Sequence, residues 1–322
     1  MQKLKSFLLR SKIMTAVIST IVVLLIISCL YLNSCLNKIN YQEKSPGIDM
    51  NPNKAGNESN QNSSPLDNED SMISKDIVNI LLIGQDKRPG EEVARSDSMI
   101  IATINKKTNS IKLTSLMRDM YVQIPGYDDN KINAAYALGG MDLLTEAVES
   151  NFLIEIDGCI EVDFAGFEKI IDEIGGIDID LNRDEAYYLS RSSGLKFTEG
   201  VNRLSGETAL TYSRIRYVGN DDYERTERQR NVLVSVFEEI KDSNLKTLLE
   251  MANDILPLVT TNLTNTQILN LATKVMLMDV SDIETYRIPA DGEFTPDTIK
   301  NMSVLVPDLP ANRTLLKEYI GY

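Results

Sequence analysis

The apolar residues of this chain fall into runs of different period. "IMTAVISTIVVLLIISCLYL", residues 13–32, carries no charge and is long enough to cross a hydrocarbon core of about 30 Å. From Ile77 onward, "IVNILLIG", "SMIIATIN" and "SIKLTSLM" are short β-branched-rich runs parted by turn residues, the pattern of buried strands. "KINAAYALGGMDLLTEAVESNF" has helical spacing, "CIEVDF" returns to strand, and "FAGFEKIIDEIGG" is a helix ended by Gly175 and Gly176. Asn182 with Glu185, and Thr264 with Gln267, have the spacing of helix N-terminal caps. Strands alternating with helices predict an α/β layered domain, a central mixed β-sheet flanked by helices, preceded by one N-terminal transmembrane helix.

Between the anchor and the first strand, residues 38–75 are mostly Asn, Ser, Lys, Pro and acids. Such a stretch buries too little surface to offset the entropy of ordering, so it reads as a flexible linker. The expected organisation is a cytoplasmic N-terminus (1–12), a transmembrane anchor (13–32), an extracellular linker (33–75), a catalytic domain (76–242) and a C-terminal helical and mixed extension (243–322) packed on the same domain. Lys3, Lys5, Arg10 and Lys12 precede the apolar run with no acid among them, which places the N-terminus in the cytoplasm and the rest on the outer face of the cell membrane. "IISC", ending at Cys29, offers lipoprotein processing as an alternative tether.

Composition narrows the chemistry. The 322 residues carry a net charge of −14, which argues against a nucleic-acid partner. Histidine is absent, so Ser-His-Asp catalysis, His-ligated zinc and imidazole acid–base work are excluded. What remains is carboxylates, arginines, lysines, hydroxyls or a hard metal. Of the cysteines, Cys29, Cys35 and Cys159, only the last falls in the part that reads as folded, so no disulfide framework is expected and Cys159 reads as a core residue. There is no internal repeat, Walker loop or GxGxxG fingerprint.

Against the acidic balance stands "YSRIRYVGNDDYERTERQR", with Arg214, Arg216, Arg225, Arg228 and Arg230 in one stretch. At 100° per residue, Arg225, Arg228 and Gln229 share a helix side with Val232, Leu233, Val236 and Ile240, while Arg230 is expected to meet solvent. Asp221 or Asp222 would cap this helix, whose start favours an anion. One reading is a structural network with the chain's own carboxylates; the other is a pyrophosphate site, since guanidinium forks match phosphate bidentately. Further charges follow the strand ends. Asp86 and Arg88 come after the first, Arg95 and Asp97 precede the second, Arg118 and Asp119 close the third, and Lys131 opens a helix. Two aspartates at adjoining strand ends suit Mg2+ or Mn2+, with substrate phosphates completing the shell, although aspartates in such loops also cap turns. Together these groups resemble phosphoryl-transfer equipment.

The ordered run "NILLIGQDKR…RSDSMIIATIN…SLMRD…KINAAYALGG…EVDFAGFEKIIDEIGGIDID…GETALTYSRIRY…DDYERTERQR" resembles the LytR-CpsA-Psr family of bacterial cell-envelope proteins over roughly residues 77–242. The resemblance implies an apolar slot for a polyprenyl chain and a glycopolymer phosphotransferase, moving a teichoic-acid-like, capsular or secondary wall polysaccharide from polyprenyl pyrophosphate onto a peptidoglycan hydroxyl. It implies Mg2+ (or Mn2+) at Asp86 and Asp97, and catalytic roles for Arg95, Arg118, Asp222 and Arg225. Pyrophosphate contacts fall to Arg88, Arg118, Lys131, Arg214, Arg216, Arg225, Arg228 and Gln229. Two positions depart from the family pattern: Met117 stands where Pro is common, and Glu224 where Gly is. The other readings are a polyprenyl-phosphate-binding envelope sensor without turnover, and a hydrolase of the lipid pyrophosphate.

Overall fold

The computed structural model describes residues 33–43, 76–86, 95–219, 221–241, 243, 245–278, 280 and 283–322. The expected transmembrane helix, Cys29 and Arg88 lie outside the described residues, and no helix among those described is long and apolar enough to cross a membrane. In chain order the elements are β1 (Asn40–Tyr41), β2 (Ile77–Asp86), β3 (Arg95–Asn105), β4 (Ser110–Leu116), β5 (Tyr121–Val122) and β6 (Asn130–Lys131), then α1 (Ile132–Phe152), β7 (Gly158–Asp163), α2 (Phe164–Glu173) and β8 (Ile177–Leu181). They continue with α3 (Arg183–Ser193), β9 (Gly200–Leu204), α4 (Gly206–Ser213), α5 (Asp221–Lys241), α6 (Leu245–Ile255), β10 (Thr260–Thr261) and α7 (Asn265–Leu277). Last come β11 (Ile283–Ile288), β12 (Phe294–Ile299), β13 (Met302–Pro307) and α8 (Leu309–Ile320).

Among the described residues the main sheet runs β1-β10-β7-β2-β3-β4-β11. It is mixed: β2 pairs parallel with β7 and antiparallel with β3, and β11 joins β4 in parallel. The period of two along the strands then decides which helices cover which face. Leu81, Ile83, Met99 and Ile101 pack with α1 and with Leu316 and Ile320 of α8. On the opposite face, Val78, Ile80 and Ile104 meet Leu271 and Val275 of α7 and Phe237 of α5. A separate cluster joins α2, the antiparallel pair β8–β9, α3, α4 and the middle of α5, so a helical layer stands off from the sheet along part of its length.

Both expected capping boxes are present, at Asn182 with Glu185 and at Thr264 with Gln267. Gly175 and Gly176 have φ of 88° and 93°, the left-handed values that end α2. Cys159 is buried, as expected. Three expectations need correction. Cys35 is also part of the fold, buried with its Sγ 3.5 Å from Asn253 Oδ1. The stretch read as linker from residue 33 contributes β1, which pairs with β10; its polar side chains hid a strand held by backbone bonds. Residues 243–322 are more than a packed extension, because β10 and β11 complete the central sheet.

The helical layer closes on itself through one glycine. A Cβ on Gly206, at the start of α4, would lie 2.0 Å from the backbone oxygen of Glu168 in α2. Backbone cannot swing aside as a side chain can, so Gly206→Ala must separate α2 from α4. We expect it to cost about 1–3 kcal/mol or more, read as a lowered Tm in thermal unfolding.

Candidate functional site

Where the helical layer stands off from the sheet there is a cavity of about 360 Å³. Leu82, Ile100, Ile160 and Val162 from the sheet, Phe164, Phe167, Ile170 and Ile171 from α2, Leu210 from α4, and Val232, Leu233 and Val236 from α5 make its apolar walls. Its polar lining is Asp86, Asp97, Ser98, Ser213, Arg214, Arg216, Arg225 and Gln229. The cavity is thus an apolar slot with arginines and carboxylates among its lining.

Local backbone irregularity helps to aim the carboxylates. Gly84 pairs with Ser98 but Gln85 pairs with Ser96, so Asp97 is the extra residue of a bulge in β3. A bulge re-aims the side chain it carries, and both Asp97 and Asp86 line the slot. Gly84 suits this crossing, since a Cβ there would come within 3.0 Å of Ser98 Cβ. Arg95 pairs with Asp86 in the strand register; its side chain lies outside the described residues.

The ion pairs form a chain. Arg118 Nη1 donates to Asp97 Oδ1 at 2.9 Å, and its other nitrogens lie 3.6 Å from Asp119 and 3.6 Å from Asp222. Lys131 Nζ donates to Asp119 Oδ1 at 2.6 Å. Asp222 is also 3.1 Å from Arg225 Nη1 and 3.7 Å from Arg216 Nε. Arg118 and Lys131 are not among the slot's lining residues: Arg118 reaches it through Asp97, and Lys131 is tied to Arg118 through Asp119. Arg214 lies at the slot wall with its guanidinium 4.6 Å from the centre of the Phe164 ring.

Electrostatically the two central arginines differ. Burial alone would lower the Arg118 pKa, but Asp222, Asp97 and Asp119 outweigh it and hold the value above the usual one. Arg225 is pushed down to about 10, first by burial and then by the like charge of Arg118, which the carboxylate of Asp222 only partly offsets. Its Nε is buried with no hydrogen-bond partner among the described residues. A buried, under-partnered guanidinium facing a cavity is a waiting place for an anion.

Two arginines sit elsewhere than the helical phasing suggested. Arg228 does not line the slot: Nε donates to Glu185 at 2.7 Å, Nη1 to the Ile215 carbonyl at 3.2 Å, and Nη2 to Glu224 and the Val218 carbonyl at 2.8 and 3.1 Å. Its donors are spent on protein, so no fork is left for a phosphate. The same contacts show where Glu224 points: it pairs with Arg228, which itself faces away from the slot. Arg230, expected in solvent, is buried, and Nη1 donates to Ser115 Oγ of β4 at 2.9 Å. Phasing assigns a helix one buried side, but α5 is enclosed on two, by the sheet and by the helical layer. Met117 is buried, with its sulfur 3.3 Å from Arg287 Nη1. Arg287 itself, stacked 4.5 Å from the Tyr223 ring centre, gave no signal in the sequence because it sits in an ordinary strand.

Residues 41–319 match the LytR_cpsA_psr family. The chain belongs to the LytR-CpsA-Psr family. Among its relatives is the polyisoprenyl-teichoic acid–peptidoglycan teichoic acid transferase TagU of Bacillus cereus, 37% identical over 235 residues, 72% of this chain and 75% of that protein. The regulatory protein MsrR of Staphylococcus aureus is 30% identical over 249 residues, 76% of this chain and 74% of that protein. The crystal structure of B. subtilis TagV superposes with a TM-score of 0.62 at 31% identity, covering 78% of this chain and 99% of that one. The LytR-CpsA-Psr match extends well past residue 242, in keeping with β10 and β11 belonging to the main sheet.

Proposed function

We propose that this protein is a membrane-anchored phosphotransferase on the outer face of the cell membrane, moving a glycopolymer from polyprenyl pyrophosphate to a peptidoglycan hydroxyl. The observation that carries the reading is the single cavity in which an apolar slot meets Arg214, Arg216 and Arg225. An isoprenoid chain and a pyrophosphate are covalently joined in such a donor, and the slot offers each half its own surroundings. The TagU relative supports the same reaction class.

In this mechanism the chain lies between the sheet and α2, and the pyrophosphate sits among Arg214, Arg216, Arg225 and Gln229. Its oxygens compete with Asp222 for Arg225 and Arg216, and so supply the acceptor that Arg225 lacks. The acceptor hydroxyl attacks the polymer-side phosphorus, a P–O bond forms, and the bond to the polyprenyl phosphate leaving group breaks. Asp222, relieved of part of its guanidinium contact, is our proposed acceptor for the hydroxyl's proton. The arginines stabilise the charge that develops on the leaving group.

The donor set fits a hard divalent cation. Asp86 and Asp97 are carboxylates lining one cavity, and among the described residues no group of three or more potential ligands forms, so substrate phosphates and water would have to complete the shell. Two carboxylates completed by substrate phosphates is the usual manner of Mg2+. When bound, Mg2+ or Mn2+ would neutralise charge on the pyrophosphate.

The test incubates the protein with a lipid-pyrophosphate saccharide, Mg2+ and peptidoglycan fragments. The expected result is a phosphodiester-linked product by mass spectrometry, lost on chelation. Donor cleavage without peptidoglycan would instead identify a hydrolase. Donor binding with no turnover would identify a sensor.

A further inference from the structure

A second cavity, of about 520 Å³, opens beside the candidate site and has no part in the mechanism above. Its volume lies within the range of about 300–1,000 Å³ common for small-ligand sites. Tyr187, Tyr188, Arg191 and Asp184 of α3 form one side, and Tyr217 and Val218 of the loop before α5 form the other. Tyr187 is 63% exposed and Tyr217 89%, although large aromatic rings are usually covered. Arg191 Nη1 donates to the Tyr187 hydroxyl at 3.3 Å.

This groove is fastened from below. Arg228 reaches Glu185 of α3 with one nitrogen and the carbonyls of Ile215 and Val218 with two others. One buried guanidinium therefore ties the helix bearing Tyr187 and Tyr188 to the loop bearing Tyr217. The preceding residue, Arg216, lines the slot, so the groove begins one residue from the proposed pyrophosphate position.

We propose that the groove is a saccharide subsite that holds pyranose rings next to the attacked phosphorus. Tyrosine offers a rigid, flat apolar face with a polar tip at low entropic cost, which matches the C–H face and hydroxyl edge of a sugar. Asp184, Arg191 and Ser192 provide the carboxylate, guanidinium and hydroxyl that bind sugar hydroxyls. A lipid surface is the poorer fit: the groove is concave and contains a carboxylate, and a chain of net charge −14 is repelled by anionic headgroups. The sugar belongs either to the donor's polymer or to the acceptor glycan, and the inference rests on the transfer reaction proposed above.

The experiment compares the full chain with its Tyr187→Ala/Tyr217→Ala and Tyr187→Phe/Tyr217→Phe variants, in detergent. The probes are lipid-free peptidoglycan glycan fragments and the lipid-free donor saccharide, followed by saturation-transfer NMR, with transfer kinetics alongside. The alanine pair, which removes both stacking faces, is expected to raise the dissociation constant or KM for one saccharide about tenfold or more. The phenylalanine pair keeps it, and binding of sugar-free polyprenyl pyrophosphate and kcat stay unchanged. An effect confined to glycan fragments assigns the groove to the acceptor, and one confined to the donor saccharide assigns it to the donor. Unchanged binding of both sugars overturns the proposal, as does a loss of vesicle binding in its place. If the parent protein performs no transfer yet binds a saccharide through these tyrosines, the reaction is wrong and the subsite stands.

Discussion

Arg118→Ala is expected to lower the rate of glycopolymer transfer by about 10²–10³-fold or more, the scale seen when a preorganised charge-stabilising donor is removed, while the circular dichroism spectrum stays that of the parent. The Arg118 guanidinium bridges three carboxylates beside the slot. It holds Asp97, one of the two proposed metal carboxylates, at 2.9 Å, and lies 3.6 Å from both Asp119 and Asp222. Its removal leaves these carboxylates without their shared cation, so Asp97 and Asp222 lose their aim together. The fold should survive because the Arg118 side chain is one-fifth exposed and water can replace part of its solvation. Arg118→Lys keeps the charge but not the fork, and a single ammonium cannot span three carboxylates; it should restore a minor part of the rate. Combining Arg118→Ala with Asp97→Asn should cost far less than the two losses added, as for contacting residues. Full activity in Arg118→Ala would remove the cluster from the mechanism.

Strands β2, β3 and β4 could be read from the sequence because short β-branched-rich runs bounded by turn residues are a local signal. The capping boxes could be read because they are local hydrogen-bond patterns. What escaped depends on chain far away. β11 joins β4 across some 170 positions, and "IETYRI" taken alone does not specify that edge. β1 escaped because its two residues, Asn40 and Tyr41, gain their place from backbone pairing with β10.

The site divides in the same way. Helical phasing placed Arg225, Gln229, Val232, Leu233 and Val236 on one side of α5, and all five line the slot. It failed for Arg228 and Arg230, one turned to Glu185 and the other to Ser115, because phasing knows the axis of a helix and not how many neighbours surround it. The bulge that turns Asp97 was equally hidden, since a register shift is a property of two strands. The tyrosine groove needed α3 and the Arg216–Val218 loop in one place, and they are some 30 residues apart.

Arg228 and Arg225 lie three residues apart in α5 and should respond oppositely to the same change. Arg228→Met is expected to destabilise the protein by about 3–5 kcal/mol, the cost of breaking a buried ion pair from one side. Glu185 would remain buried in α3 without its 2.7 Å partner, and the Ile215 and Val218 carbonyls would lose their donor. For a domain of this size the drop in Tm is on the order of 10 °C. Replacing both members, Arg228→Met with Glu185→Leu, removes the stranded charge and should recover much of that loss, which separates the pair from simple packing. Arg225→Met removes a guanidinium that is already poorly compensated, with a pKa pushed down to about 10 by burial and by Arg118. The folded state gives up little when that charge goes, so Tm should hold or rise while donor binding and transfer collapse. The comparison asks whether each arginine serves the fold or the ligand. A Tm lowered equally in both variants would mean that Arg225 is a structural residue, and that the slot keeps no guanidinium in reserve for a phosphate.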